Sequence, residues 1–188
     1  KVYSGKAYKA GVKLVYTNKS TAKTTTLVRK KDYTISNYTN NINVGTATGV
    51  VKGIGNYTGT RTMTFKITQK SIADLSFTPN LEKVVYNYNG SYRTPAVSII
   101  YKDAMNKAGA TQSYTLNKGT DYTVIYEDNK KVGTATVIFT GTGNFKGFHV
   151  ENFTIRPKST ILRKLIKGKK QFSVVWKTQT TQMSGYQI

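Results

Sequence analysis

The sequence predicts an all-β chain built as tandem antiparallel sandwich modules. Three observations point there. First, one paragraph of sequence is written twice. Asp32-Tyr33-Thr34, Val44-Gly45-Thr46-Ala47-Thr48, Gly53-Ile54-Gly55-Asn56-Tyr57-Thr58-Gly59 and Phe65-Lys66-Ile67 return as Asp121-Tyr122-Thr123, Val132-Gly133-Thr134-Ala135-Thr136, Gly141-Thr142-Gly143-Asn144-Phe145-Lys146-Gly147 and Phe153-Thr154-Ile155. A repeat of this length is a whole domain, because solenoid and propeller units run to roughly 20–50 residues. Second, the residue mix favours strands: 14 Tyr and 7 Phe, many Thr and Val, and only 3 Pro. Third, apolar and polar residues alternate over short runs, which puts them on opposite faces of a sheet.

The runs are taken in chain order. Gly45 to Lys52 is a Thr- and Val-rich strand. Arg61, Met63, Phe65 and Ile67 share one face of the next, against Thr60, Thr62, Thr64 and Lys66. Asn40-Asn41 and Asp128-Asn129 are turn residues that tolerate left-handed backbone. Gly-x-Gly-Asn at 53–56 and 141–144 joins two strands as a hairpin loop. It is a poor phosphate cradle, since no helix follows to aim its N-terminus at an anion. Tyr57 and Phe145 are expected to fold back as core plugs. Asp32 and Asp121 read as turn caps, with Tyr33 and Tyr122 pointing inward.

In the second copy Ala135, Val137 and Phe139 oppose Thr136, Ile138 and Thr140. The strand after it, Phe148 to Ile155, carries Glu151 where the first copy has Met63, so a bulge or an exposed strand end is expected there. The run from Ile72 to Phe77 opens the second copy and has no equivalent in the first, which predicts a missing first strand and an unpaired edge. The boundaries are therefore 1–70 for module 1, 71–157 for module 2 and 158–188 for an incomplete third unit. In that unit Ile161 to Leu165 is too short to assign, and Phe172, Val174 and Trp176 share a strand face. About 30 residues cannot close a sandwich.

Net charge is +21 and uneven. Residues 1–70 hold 13 Lys or Arg against one acid, residues 71–157 hold 9 against 7, and residues 158–188 hold 7 against none. Attraction to a polyanion is one consequence. A solvated surface whose lysines guard strand edges is the plainer one. Cysteine is absent and His149 is the sole histidine, which excludes disulfides, thiol catalysis and multi-histidine metal sites. No apolar run is long enough to cross a membrane. The chain opens mid-pattern without a leader-like segment, as a trimmed piece of a longer protein would.

The eight acids are Asp32, Asp74, Glu82, Asp103, Asp121, Glu127, Asp128 and Glu151. Glycoside hydrolysis needs two carboxyls held across a cleft, and Glu127 and Asp128 are adjacent on a strand end and so point apart. No serine has an evident base. Calcium wants several clustered carboxylates. The expectation is no enzyme activity, no cofactor and no metal. The best contact chemistry is Tyr86-Asn87-Tyr88-Asn89-Gly90-Ser91-Tyr92-Arg93, with Tyr86, Tyr88, Tyr92 and Arg93 as candidate binding residues. Tyr88 also matches Tyr3 in the first copy, which favours a structural role for that ring.

The repeated motifs resemble the bacterial Ig-like repeats of large Gram-positive cell-surface proteins, over residues 3–69 and 71–157. Lys169 to Trp176, with Ser184 to Ile188, resembles the first strands of a fibronectin type III module, where Trp176 and Tyr186 would pair. The resemblance implies tandem Ig-like antiparallel β-sandwich domains followed by a truncated third β unit. It also implies an extracellular adhesin or stalk, or accessory modules of a secreted carbohydrate-active enzyme. The implied partners are a host protein such as immunoglobulin, a glycan, and neighbouring modules of the same long chain, with nucleic acid disfavoured. Some Gram-positive surface modules carry a Lys–Asn isopeptide crosslink, which needs a buried Lys, Asn and acid together.

Overall fold

The computed structural model describes residues 1–103 and 112–180, without the side chains of Asp103 and Gln112. Among them the chain is all strand and turn, with no helix, in several small sheets consistent with a β-sandwich. It divides into two compact units, Lys1–Ser71 with Gly143–Lys146, and Ile72–Thr142 with Gly147–Ile188.

Unit 1 runs β1 (Val15–Thr17), β2 (Thr24–Thr26), β3 (Tyr33–Thr39), β4 (Gly45–Gly53), β5 (Thr60–Ile67) and β6 (Lys70–Ser71). β1 and β2 form a two-stranded sheet, and β3-β4-β5 a three-stranded one. Unit 2 runs β7 (Phe77–Leu81), β8 (Val85–Asn87), β9 (Val97–Asp103), β10 (Gln112–Thr115), β11 (Tyr122–Glu127) and β12 (Gly133–Gly141). Then come β13 (Phe145–Lys146), which pairs in parallel with β6 and is counted in unit 1, and β14 (Phe148–Arg156). The larger sheets of unit 2 are β10-β9-β7 and β11-β12-β14-β8. β7 is an edge strand, which accommodates Pro79 because a proline has no N–H to give a further neighbour.

Period-two patterning decides the core. On β12, Ala135, Val137 and Phe139 are fully buried while Thr136, Ile138 and Thr140 face outward. Phe153 and Ile155 of β14, Tyr122 of β11, and Ile99 and Phe77 of the other sheet complete that interior. Each Val, Ile or Phe among them contributes about 1.5–3 kcal/mol on burial. In unit 1 the same positions hold Ala47, Val51, Ile67 and Tyr33.

Each unit is tied internally by hydrogen bonds that match those of the other. Tyr33 Oη donates to the Val12 carbonyl at 2.7 Å and Tyr38 Oη to Ala10 at 2.8 Å. In unit 2, Tyr122 Oη donates to Val97 at 3.5 Å and Tyr126 Oη to Pro95 at 2.7 Å. The Asp32 carboxylate accepts the Val28 N–H at 2.7 Å, and the Asp121 carboxylate accepts that of Asn117 at 2.8 Å. Both acids are thus turn caps, and both following tyrosines point inward, as the pattern predicted. The Gly-x-Gly-Asn loops are hairpin loops, closed by Gly53 N–H to Gly59 at 2.9 Å and Gly141 N–H to Gly147 at 2.9 Å. A Cβ on Gly53 would lie 2.9 Å from backbone atoms of Tyr57 and Thr58, so only glycine fits. Asn40 and Asp128 take the left-handed backbone expected of them. Phe145 is buried as a plug, whereas Tyr57 is half-buried against Tyr16.

Two strand details were resolved by geometry. The β12–β14 register is unbroken from Gly133↔Ile155 to Thr140↔Phe148, so no bulge accompanies Glu151. Glu151 is half-buried on the core-side parity near the strand's start and meets His149 Nε2 at 3.1 Å. Ile161 to Leu165 belongs to a strand: β15 (Leu162–Lys167) pairs with β16 (Phe172–Trp176). On β16, Val174 and Trp176 are half-buried and Phe172 is exposed. Tyr186 lies outside the described residues.

Replacing Tyr126 by Phe removes a hydroxyl-to-carbonyl bond across the interior of unit 2. We expect a loss of about 1 kcal/mol in denaturant melts followed by tyrosine absorbance. Burial raises the Tyr122 and Tyr126 phenols above the usual tyrosine value, aided at Tyr122 by the Asp121 carboxylate and at Tyr126 by the neighbouring phenols of Tyr122 and Tyr86. The folded state therefore holds these protons where the unfolded chain releases them, so stability falls as pH rises beyond about 10. A melt series from pH 8 to 11 checks that slope, and Tyr126→Phe should flatten it.

Candidate binding surface on unit 2

The segment from Tyr86 to Arg93 is shaped by backbone bonds first. β8 pairs in parallel with the end of β14, Thr154↔Val85 to Arg156↔Asn87. The Tyr88 N–H donates to the Arg156 carbonyl at 2.8 Å, repeating Tyr3 N–H to Thr68 at 2.8 Å in unit 1. The Asn89 side chain then accepts the Ser91 N–H at 3.0 Å, turning the chain at Gly90, whose φ is 84°. Arg93 is clamped by Asn129: the Arg93 N–H donates to the Asn129 carbonyl at 2.7 Å, and the Asn129 amide donates to the Arg93 carbonyl at 2.8 Å. Tyr8 and Asn41 make the same reciprocal pair in unit 1.

On this base the four predicted residues take different places. Tyr86 is half-buried, edge-on to Phe153 with ring centres 5.6 Å apart. Lys83 Nζ and the Arg93 guanidinium lie 5.2 and 5.3 Å from its ring centre, so the ring carries two cations. The guanidinium also donates to the Asn87 carbonyl at 2.5 Å, closing the loop on itself. Tyr88 is half-buried. Tyr92 is the outward ring, 68% exposed, with Lys130 Nζ 4.9 Å from its centre. Tyr86 and Arg93 are therefore brought together, and Tyr92 is presented with a cation from the β11–β12 turn.

Sequence reasoning missed Lys83, Lys130 and Asn129. Asn129 was recognised as a turn residue, but its clamp on Arg93 depends on a contact between segments far apart in sequence. The two lysines had no local signal that separated them from the other cations of the chain.

Several of the acids have structural employment, Asp32 and Asp121 as the turn caps already described. Asp74 accepts the Ser76 N–H and hydroxyl, at 2.9 and 2.7 Å, and Asp128 occupies a left-handed turn position. Among the described residues no three His, Cys, Asp or Glu side chains gather as a metal site. Apart from the tyrosines, the only buried polar side chain among them is Asn129, whose amide is already used, and no lysine there is buried, so no Lys–Asn–acid crosslinking set is assembled among the described residues. No helix among the described residues is long and apolar enough to cross a membrane.

Comparison with protein-family models, with curated proteins and with solved structures finds no match to this chain.

Arg93→Ala should release the loop from Asn87 and uncover one face of Tyr86. The expected cost is about 1–2 kcal/mol, from one charge-assisted hydrogen bond and one cation–π contact. Amide exchange at residues 87–92 should accelerate, whereas Lys130→Ala should leave both stability and exchange near the parent values.

Proposed function

We propose that this chain is a non-enzymatic recognition scaffold from the outside of a Gram-positive bacterium. Tandem Ig-like sandwiches, followed by the opening strands of a fibronectin type III unit, present a binding patch centred on Tyr92. The observation that carries this reading is the exposure of Tyr92 on a loop anchored on both sides. An aromatic ring held out from a fixed backbone loses little freedom on binding, and Tyr with Arg is the composition of protein-contact hot spots. Lys83, Arg93 and Lys130 give the patch a positive rim suited to a carboxylate-bearing host protein, with immunoglobulin one candidate, or to an acidic glycan. The repeated motifs support the surface-protein reading, and Asp32, Asp74 and Asp121 serve turns.

The test is a pull-down from host secretions and glycan mixtures with the 188-residue chain, compared with Tyr92→Ala and Tyr92→Ala/Lys130→Ala. We expect capture that falls at least tenfold with Tyr92→Ala while thermal stability holds. Capture unchanged by both variants would rule out the patch.

A second reading has its own observation, the 13 cations against Asp32 within residues 1–70. Polyanion binding through that module would show affinity falling steeply with salt, with a log–log slope set by the phosphates or sulfates neutralised. Tyr92→Ala would leave it untouched.

A further inference from the structure

The turn at the tip of the Tyr86–Arg93 loop carries a reactive pair. Asn89-Gly90 is the only Asn-Gly step in the sequence. Every other asparagine is followed by a residue with a side chain, which crowds the main-chain nitrogen there. Gly90 has no such crowding. Apart from its chain neighbours, the one described atom within 4 Å of where a Cβ would stand is Tyr88 Oη, at 4.0 Å. The Gly90 N–H gives no hydrogen bond to a described residue. Asn89, Gly90, Ser91 and Tyr92 are all exposed, between the backbone bonds that hold Tyr88 and Arg93.

The same turn presents the electrophile. The Ser91 N–H donates to Asn89 Oδ1 at 3.0 Å, which folds the side-chain amide forward along the chain, toward the peptide that joins Asn89 to Gly90. That bond also draws charge onto Oδ1 and steadies the oxygen when it becomes an oxyanion. Unit 1 builds the equivalent turn without this chemistry. Tyr3-Ser4-Gly5 stands where unit 2 has Tyr88-Asn89-Gly90, Gly5 has a φ of 71° against 84°, and the Lys6 N–H donates to Ser4 Oγ at 3.4 Å. A hydroxyl therefore suffices to make the turn, and it offers no carbonyl carbon to attack.

We propose that Asn89-Gly90 is a self-modifying site that converts the loop to a carboxylate-bearing form with age. The Gly90 nitrogen loses its proton to solvent and bonds to Asn89 Cγ. The Cγ–Nδ2 bond breaks, and Nδ2 leaves as ammonia with a proton returned from water. A water molecule then opens the cyclic imide. Attack at Cγ gives aspartate at position 89, and attack at the main-chain carbonyl carbon gives isoaspartate. No acid lies between Glu82 and Asp103 in the sequence, so either product puts the first carboxylate into this loop. It stands among Lys83, Arg93 and Lys130, the cations on the two tyrosine rings, and cancels part of their field. Isoaspartate also adds a methylene to the backbone between the two held ends, which shifts Tyr92. The conversion stands on the turn alone; its effect on ligand capture rests on the Tyr92 patch being the binding surface.

The experiment ages the full chain at neutral pH and body temperature and maps its peptides by mass. The peptide holding Asn89 should gain about one dalton at least tenfold faster than those holding Asn129 or Asn144, and the rate should climb with pH because attack needs the deprotonated nitrogen. Asn89→Ser copies the unit 1 turn, so it should keep thermal stability and abolish the gain. Aged chain and Asn89→Asp should both capture at least threefold less than fresh chain in the host-secretion pull-down. No gain at Asn89, a gain no faster than at the other asparagines, or conversion in urea but not in the folded chain would overturn the proposal. Equal capture by fresh and aged chain, where Tyr92→Ala lowers capture, would overturn the effect on binding. Capture that Tyr92→Ala leaves unchanged would strike the patch reading alone, and the mass gain would still decide the modification.

Discussion

Each unit depends on tyrosine hydroxyls that cross its interior to reach a backbone carbonyl on the opposite segment. Tyr33 and Tyr38 do this in one unit, Tyr122 and Tyr126 in the other. A phenol fills volume in a small core and satisfies its own polar end, so it spans two layers without leaving an unpaired group. The carboxylate two residues or fewer before the strand begins closes the preceding turn and fixes where the first tyrosine enters. Sheet register, hairpin closure and the position of the segment beneath the candidate binding loop all follow from that arrangement.

The arrangement also explains how a loop can be displayed rigidly. The Arg93 backbone is held by Asn129, and the adjacent Pro95 carbonyl accepts the Tyr126 hydroxyl. Tyr92 therefore projects from a stretch fastened on its inner side. Unit 1 uses the same clamp with Tyr8 in place of Arg93, and the Tyr8 hydroxyl donates to the Val2 carbonyl. One scaffold thus carries two different surface residues at an equivalent point, which is how a repeated fold diversifies its outside while its inside stays fixed.

Much of the strand content was legible because alternation needs only neighbours: Ala135, Val137 and Phe139 declare their face within five residues. The turn chemistry was equally local, since Gly53, Asn40 and Asp32 act within a few positions of themselves. Less was legible at the candidate site. Tyr86 and Tyr92 look alike in sequence, yet one packs on Phe153 and the other stands in solvent, and only the β8–β14 pairing separates them. Glu151 invited a bulge because a charge on a core-facing parity seems to demand one. The strand keeps its register, because near the start of β14 that face is only half covered and His149 is beside it.

The most direct test of one design written twice is residue-resolved amide exchange on the intact chain. The Leu27 and Leu116 amides, which donate to Leu14 and Ile99 at matching places, should both be protected, with the centres of β4 and β12 the slowest of all. Fast exchange throughout β4 beside a slow β12 would contradict it.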